Sequence, residues 1–235
     1  GGSGSYEYTI DGGTSWSSSG DFLNLFAGIY NVQIRDANAP ACIITLNPAL
    51  EITEPPAMEI TGQPQDTTEC FGNTISFYVS QFNGSGTVNY TWQRMRPSES
   101  VFTDIPGSDT DVSYPNPGEI QITNIGNAGS PDGTRYRVIV SDNCSSLTSD
   151  EVILTVIPIP TVTAPSDTTL CDGTITDPYP LSGTPSFVVF DITGGATIGL
   201  ADTTNVTKIP SFTPITGTAT ITITPKADKC TGTPL

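Results

Sequence analysis

The amino-acid sequence predicts an all-β protein that is built from small sandwich modules in tandem. The composition is the first reason, because the 235 residues include 23 glycines, 20 prolines and 36 threonines, which favour strands and turns over helices. The second is that apolar and polar residues alternate in short runs, as they do in strands with one buried face. The third is that turn residues separate these runs at the intervals typical of β-sandwiches.

The first block, residues 1–56, contains three predicted strands and a hairpin turn. The strands are YEYTI (6–10), IYNVQIRD (29–36) and CIITL (42–46), and DGG (11–13) is the turn. About 50 residues are few for an independent hydrophobic core. The block also starts abruptly within a strand pattern, so we expect it to be truncated at its N-terminus.

The second block, residues 57–158, has the most regular pattern. In five short runs, apolar and polar residues alternate, and turns that contain Gly, Pro, Asn and Asp separate the runs. Trp92 lies in the middle of the second run. The predicted strands are TISFYVS (74–80), VNYTWQRMR (88–96), EIQITNI (119–125), TRYRVIVSD (134–142) and EVILTVI (151–157).

This second block resembles the bacterial immunoglobulin-like domains of long Bacteroidota surface proteins. The resemblance places Tyr136 at the tyrosine corner of strand F, with Val138 and Val140 facing inward. It also puts Val79 and Val138 at the two positions where antibody domains have buried cysteines. The segments that carry it are QP (63–64), CFGNTISF (70–77), YTWQ (90–93), ITNI (122–125), DGTRYRVIVSDNC (132–144) and VILTV (152–156).

The flanking blocks resemble two other modules of the same surface proteins. Block one is similar to the SprB-type repeat of flavobacterial gliding adhesins, through GGSGSYEYTIDGGTSW (1–16) and LFAGIYNVQIRDANAPAC (25–42). Block three, residues 159–235, is similar to PKD-like domains. The segments that carry this similarity are PTVTAPSDTTLCDG (160–173) and ATITITPKADKCTG (219–232). Block three ends where one more strand is expected, so we expect it to be truncated at its C-terminus.

The combined resemblance implies a non-enzymatic structural and display segment of a very large bacterial surface adhesin, used in gliding motility and surface attachment. Such a parent is exported by type IX secretion and is held at the outer membrane through other parts of the protein. The proline-rich joints TEPPA (53–57) and IPIPT (157–161) act as stiff spacers, so we expect an elongated rod. Two alternatives stay open, a glycan-binding adhesive module and accessory domains of a secreted hydrolase.

The charged residues exclude several classes of function. The chain has 8 Lys and Arg, 24 Asp and Glu and no histidine, which gives a formal net charge of −16. So few bases offer phosphates little counter-charge, and nucleic-acid binding is not expected. The lack of histidine removes Ser-His-Asp and Cys-His nucleophiles, and we expect neither an enzyme nor a bound cofactor. No apolar run approaches about 20 residues, so we expect no membrane insertion. We also expect the chain to be a monomer.

Five cysteines with long spacings and no CxxC pair favour structural disulfides in an oxidising, extracytoplasmic setting. Cys70 and Cys144 bracket the second block, and Cys171 and Cys230 bracket the third. These positions predict the pairs Cys70–Cys144 and Cys171–Cys230, with Cys42 unpaired. The SprB-type resemblance implies that a partner of Cys42 lies in a strand that precedes the present chain.

A loop of the second block is the one candidate metal site. Asp104, Asp109, Asp111 and Glu119 are close together in the segment TDIPGSDTDVSYPNPGE (103–119). Calcium prefers carboxylate and carbonyl oxygens at turn positions, although the spacing is not that of an EF-hand. The alternative interpretation is a solvated polar loop without a bound ion.

Two further features suggest contacts with surface polysaccharide. Arg94, Arg96, Arg135 and Arg137 lie on two strands that neighbour each other in an immunoglobulin sheet, and they form either a basic patch or pairs with nearby acids. Trp16, after the hairpin turn, is either a stacking platform for a sugar or a packed residue of a small core. Neighbouring modules of the same chain are the other expected partners.

Overall fold

The computed structural model describes residues 2–166 and 169–235, and it confirms the all-β prediction. The chain divides into two compact units, one that ends at Ala57 and one that runs from Met58 to Leu235. The only helix among the described residues is a single 3-10 turn, Ala196–Ile198. No helix in the described part of the chain is long and apolar enough to cross a membrane.

The first unit is a three-stranded antiparallel sheet in the order β1-β2-β3. All three predicted strands are present, but β3 is much longer than predicted and includes Pro40 and Pro48. Because β3 pairs only with β2, one of its edges is free, and an edge strand tolerates residues that lack an N–H group. The bounds are β1 Tyr6–Thr9, β2 Gly28–Asp36 and β3 Ala39–Ile52.

A polar network, rather than an apolar core, organises the turn of this unit. Thr9 is the only buried side chain among the described residues up to Ala57. Its hydroxyl donates to the Asp11 carboxylate at 2.6 Å, and the same carboxylate accepts the backbone N–H groups of Thr14 and Ser15. The Ser15 hydroxyl donates to this carboxylate as well. Together these bonds, with the one from the Ser15 hydroxyl contributing most, lower the pKa of Asp11 far below its usual value. The carboxylate therefore stays ionised and holds the turn closed.

The N-terminal part of the second unit is a sandwich of two sheets. One sheet has the order β5-β14-β12-β8-β9, with β13 added to β12, and the other has the order β10-β11-β6. Strands β4 and β7 pair separately. The strands are β4 Glu59–Gly62, β5 Thr67–Cys70, β6 Ile75–Tyr78, β7 Ser80–Phe82, β8 Asn89–Met95, β9 Thr103–Asp104, β10 Val112–Ser113, β11 Glu119–Ile122, β12 Arg135–Ser141, β13 Ser146–Thr148 and β14 Val152–Ile157.

Three aromatic rings form the centre of this sandwich. Trp92, Tyr136 and Phe77 are each at most 1% exposed, and the Phe77 ring lies 6.4 Å from Trp92 and 5.2 Å from Tyr136, centroid to centroid. The Tyr136 hydroxyl donates to Ser130 Oγ at 2.8 Å, which satisfies the buried phenol as a tyrosine corner does. The positions that the sequence assigned to Trp92 and Tyr136 are confirmed.

Alternation along β12 is also confirmed, because Val138 and Val140 are fully buried. Val138 lies opposite Trp92 in the β8–β12 register, and Val79 is buried as well. Two valines thus occupy the inward positions where antibody domains have their disulfide.

The predicted strand 74–80 is divided in two, since β6 pairs with β11 whereas β7 pairs with β4. The division falls at Val79, whose N–H donates to the Gly118 carbonyl at 3.0 Å. Gly118 has a φ of +76°, and a Cβ atom there would lie 2.5 Å from the Val79 carbonyl oxygen. Only glycine allows this close backbone approach.

The C-terminal part of the second unit is a smaller β structure. A four-stranded sheet has the order β19-β18-β21-β22, and two strand pairs, β15–β17 and β16–β20, accompany it. Phe190 and Ile223 belong to its apolar cluster. The strands are β15 Thr161–Thr163, β16 Tyr179–Pro180, β17 Ser182–Thr184, β18 Val189–Thr193, β19 Thr203–Val206, β20 Lys208–Ile209, β21 Thr222–Ala227 and β22 Cys230–Thr231.

The inward and outward faces of β14 yield a matched pair of substitutions. Leu154 is fully buried, whereas its neighbour Ile153 is 37% exposed. We expect Leu154→Ala to lower the free energy of unfolding by about 2–5 kcal/mol, because it leaves a cavity. Ile153→Ala should cost less than about 1 kcal/mol.

Denaturant titrations followed by tryptophan fluorescence in a Trp16→Phe background check this, since Trp92 is then the only tryptophan. Equal losses for the two alanine variants would contradict the assigned faces.

Candidate functional site

The two parts of the second unit meet where β5 and β14 end side by side. These strands are parallel, and Cys70 lies opposite Ile157 in the register. The Phe71 N–H then donates to the Ile157 carbonyl at 2.9 Å. The end of β14 is also where the chain leaves for the C-terminal part, so β5 brings Cys70 to the connection itself.

A hairpin from the C-terminal part reaches the same place. Strands β21 and β22 are joined by Asp228, which has a φ of +52°, and Lys229, and Cys230 pairs with Ala227 across the hairpin. Cys70 and Cys230 form a disulfide over a separation of 160 residues, with the Cα atoms 5.7 Å apart. Cys70 is 9% exposed and Cys230 is 1% exposed, and both pack with Ile157 and Ala227 in one apolar cluster.

An ion pair lies beside the disulfide. Lys229 Nζ is 2.9 Å from Glu69 Oε2, and these two residues immediately precede the two bonded cysteines. Glu69 Oε1 also accepts the backbone N–H of Cys70 at 2.9 Å. The bond from Lys229, followed by the backbone bond, lowers the pKa of Glu69. Because its side chains are partly exposed, the pair adds orientation more than stability.

The connecting segment packs against the hairpin as well. A Cβ atom on Gly232 would lie 1.8 Å from the carbonyl oxygen of Pro160, which is itself buried. The backbones of the connection and of the segment after β22 are thus in direct contact. We call the disulfide, the ion pair and this contact together the junction.

The predicted pairs Cys70–Cys144 and Cys171–Cys230 are both wrong. Strand β12 is antiparallel to β14, and Cys144 follows the far end of β12, whereas Cys70 lies at the opposite end of the sheet. At about 3.3 Å per residue this places the two cysteines about 30 Å apart, far beyond the reach of a disulfide.

Cys230 is unavailable to Cys171 for a related reason, since its side chain packs against the end of β14. Cys42, Cys144 and Cys171 are exposed free thiols. One signal in the sequence indicates the true pair, because acidic Glu69 precedes Cys70 and basic Lys229 precedes Cys230. No such complementary charges precede the other cysteines.

The four calcium candidates are not brought together. In the described residues, no group of three or more His, Cys, Asp or Glu side chains is arranged to hold a metal ion. Each carboxylate binds a different group of the protein: Asp104 accepts from Gln93, Asp109 pairs with Arg94, Asp111 accepts from Asn127, and Glu119 accepts from Asn116, at 2.6–2.7 Å.

One of these contacts is a buried ion pair, which agrees with the interpretation that the arginines pair with nearby acids. The side chains of Arg94 and Asp109 are only 9% and 13% exposed. Tyr114 lies nearby, and burial, with a contribution from the Asp109 charge, raises the pKa of its hydroxyl. The pair holds the loop that precedes β10 onto β8.

The other arginines of the predicted patch are occupied in similar ways. Strands β8 and β12 are neighbours, as predicted. Arg96 pairs with Glu99 at 2.8 Å and Arg135 pairs with Glu151 at 3.4 Å. Arg137 donates to Gln93, and its guanidinium lies 4.1 Å above the Phe102 ring. Three of the four arginines therefore have carboxylate partners, and they do not leave an open basic surface.

Trp16 has one covered ring face. The Arg35 guanidinium lies 4.2 Å from the ring centroid and also pairs with Glu7 at 2.7 Å. The indole N–H donates to the Gly13 carbonyl at 3.1 Å. Trp16 thus fastens the hairpin turn to β2 through these two contacts, rather than by packing into an apolar core.

A cavity of about 430 Å³ lies in the C-terminal part of the second unit. Leu170, Leu200 and Phe212 are among the mainly apolar residues that line it. Asp177 is the one carboxylate among the described lining residues.

Comparisons with known proteins identify the fold. No family model matches the sequence, and no curated protein matches it. An I-band fragment from titin matches the structure with a TM-score of 0.54 at 9% identity, and it covers 78% of this chain. A glutamate-to-alanine variant of the same three immunoglobulin domains gives 0.52 at 9% identity and 77% coverage. The chain spans 64% of the length of these fragments.

At such low identity the comparisons show the fold alone. The chain has the fold of tandem immunoglobulin-like β-sandwich modules. The predicted fold class is therefore confirmed.

The buried and exposed arginine pairs lead to a contrast in stability. We expect Arg94→Gln to lower the free energy of unfolding by about 3–5 kcal/mol, because it strands the largely buried Asp109 carboxylate. Arg135→Gln removes an ion pair whose side chains are 47% and 45% exposed, and it should cost less than about 1 kcal/mol.

Urea titrations of the two variants measure the difference. A loss for Arg94→Gln no larger than that for Arg135→Gln would refute the role of the buried pair.

The separated carboxylates also lead to a prediction for calcium. Because each of the four acids already has a protein partner, we expect the unfolding temperature to be the same in millimolar calcium and in excess EDTA. Differential scanning calorimetry under both conditions is the measurement. A calcium-dependent rise that Asp111→Asn abolishes would restore the loop as a calcium site.

Proposed function

We propose that this chain is a non-enzymatic structural segment of a very large bacterial surface adhesin of the SprB type, used in gliding motility and surface attachment. Its role is to space and display other parts of the parent protein. Two lines of support meet here. The repeat and domain resemblances suggest the parent, and the immunoglobulin-like tandem is a fold used for such spacing.

We further propose three modules within the chain. Residues 1–56 form a SprB-type repeat, 57–158 an immunoglobulin-like sandwich, and 159–235 a PKD-like sandwich. The compact first unit supports the first boundary. The separate apolar clusters around Trp92 and Phe190 support the second.

The observation that carries the structural role is the junction. An inter-module contact of ordinary size leaves domains free to move, unless the interface is large and apolar. Here the apolar contact is small, and Cys70 and Cys230 add a covalent bond across it. A fixed joint of this kind serves a spacer and contributes nothing to catalysis.

The same disulfide supports an extracellular location at the cell surface. Disulfides persist in oxidising compartments and are rare in the cytosol. We place the chain outside the cell, with neighbouring modules of the same chain as its partners and a monomer as its state. The proposal includes no nucleic acid and no bound cofactor.

The proposal predicts that the purified chain is a monomer of 24.7 kDa that does not bind surface polysaccharide. The physical reason is that Arg94, Arg96, Arg135 and Trp16 are already engaged within the protein. Light scattering measures the mass, and pull-down with bacterial capsular polysaccharides measures binding, with Trp16→Phe and Arg137→Gln as comparison variants. Saturable binding that either substitution abolishes would favour the glycan-binding alternative instead.

A further inference from the structure

The disulfide of the junction connects two points that are close to opposite ends of the second unit in sequence. Only the segments 58–69 and 231–235 of this unit lie outside the loop that Cys70 and Cys230 close. In a spacer, tension enters along one end of the chain and leaves along the other. The covalent path between the ends then has a choice of two routes at Cys70.

One route follows the backbone through residues 71–229, and the other crosses the disulfide. The two sulfur atoms make the second route far shorter, because the Cα atoms it joins are 5.7 Å apart. Tension is carried by the shorter, taut path. The folded route in parallel with it has slack and bears no load.

We infer that the Cys70–Cys230 disulfide is a load-bearing shortcut that shields both modules of the second unit from tension. This inference rests on the proposed spacer function for its meaning and deepens it. Apart from the segments 58–69 and 231–235, the sandwich around Trp92 and the smaller sheet around Phe190 stay folded under loads that would otherwise unravel them. Their loops remain displayed while the chain is pulled.

The surroundings of the bond suit this task. Cys70 and Cys230 are only 9% and 1% exposed, so the closed junction slows the attack of external thiols on the bond. The Lys229–Glu69 pair and the Gly232–Pro160 contact hold the hairpin in place on both sides of the bond. By contrast, Cys42, Cys144 and Cys171 are exposed and take no part in it.

Single-molecule stretching of the whole chain between handles at its two ends tests the inference. In the oxidised protein, the second unit should release only the segments 58–69 and 231–235, about 60 Å of contour length. After reduction with a phosphine, the same molecule should release a further 560 Å or so, because the separation of 160 residues becomes extensible at about 3.5 Å each.

Matched variants identify the bond that is responsible. Cys230→Ser should release the full length without any reductant, whereas Cys144→Ser and Cys171→Ser should behave as the oxidised wild type. Reduction of the wild-type protein is the second route to the same result, and it holds even if a Cys230 variant folds poorly. Peptide mapping after alkylation of the native protein should label Cys42, Cys144 and Cys171 alone.

Two outcomes would overturn the inference. Equal contour lengths before and after reduction would show that the disulfide carries no load. The pairs Cys70–Cys144 and Cys171–Cys230 would instead leave residues 145–170 extensible and lengthen the oxidised release by about 90 Å. Polysaccharide binding would refute the purely structural function but would leave these lengths unchanged, so the two failures are distinguishable.

Discussion

The covalent closure between Cys70 and Cys230 is the constraint on which the rest of the second unit depends. The two parts of this unit have separate apolar clusters and are joined by a few proline-rich residues, and chain connection alone would leave two such parts free to rotate. The disulfide removes that freedom, because a hairpin of one module is bonded to a strand end of the other. Closing so long a loop also restricts the unfolded chain, which stabilises the folded state by about 5 kcal/mol in the chain-entropy model.

Local pattern was sufficient to predict the sandwich and insufficient to predict the junction. Alternation along β12 and the position of Trp92 were read correctly, since a strand with one buried face repeats every two residues. The disulfide pairs were predicted wrongly. The fact that two cysteines flank the same block of sequence does not say at which end of a sheet each cysteine lies. The division of strand 74–80 at Val79 was missed for a similar reason, as it depends on Gly118 from a distant segment.

The ion pairs show how the basic residues of this acidic chain are used. Within the described residues, six of the eight bases bind a carboxylate: Arg35, Arg94, Arg96, Arg135, Lys226 and Lys229. Most of the few basic side chains therefore form ion pairs within the protein, including pairs at a hairpin, at a loop and at the junction. The surplus acids remain on the surface, where a net charge of −16 favours solubility and discourages association between copies. The paired arginines also explain why no open basic patch forms among the described residues.

The Cys70–Cys230 disulfide lies near the two ends of the unit in sequence, rather than inside each sandwich, and this position has a mechanical consequence. A disulfide across the core of one sandwich would limit the extension of that sandwich only. Cysteines at the positions of Val79 and Val138 would form such a bond. A disulfide near the entry and exit points covers everything between them, whatever the stability of the intervening sheets. The smaller sheet around Phe190, with its short paired strands, gains most from this arrangement, because it has the least packing of its own to oppose a pulling force.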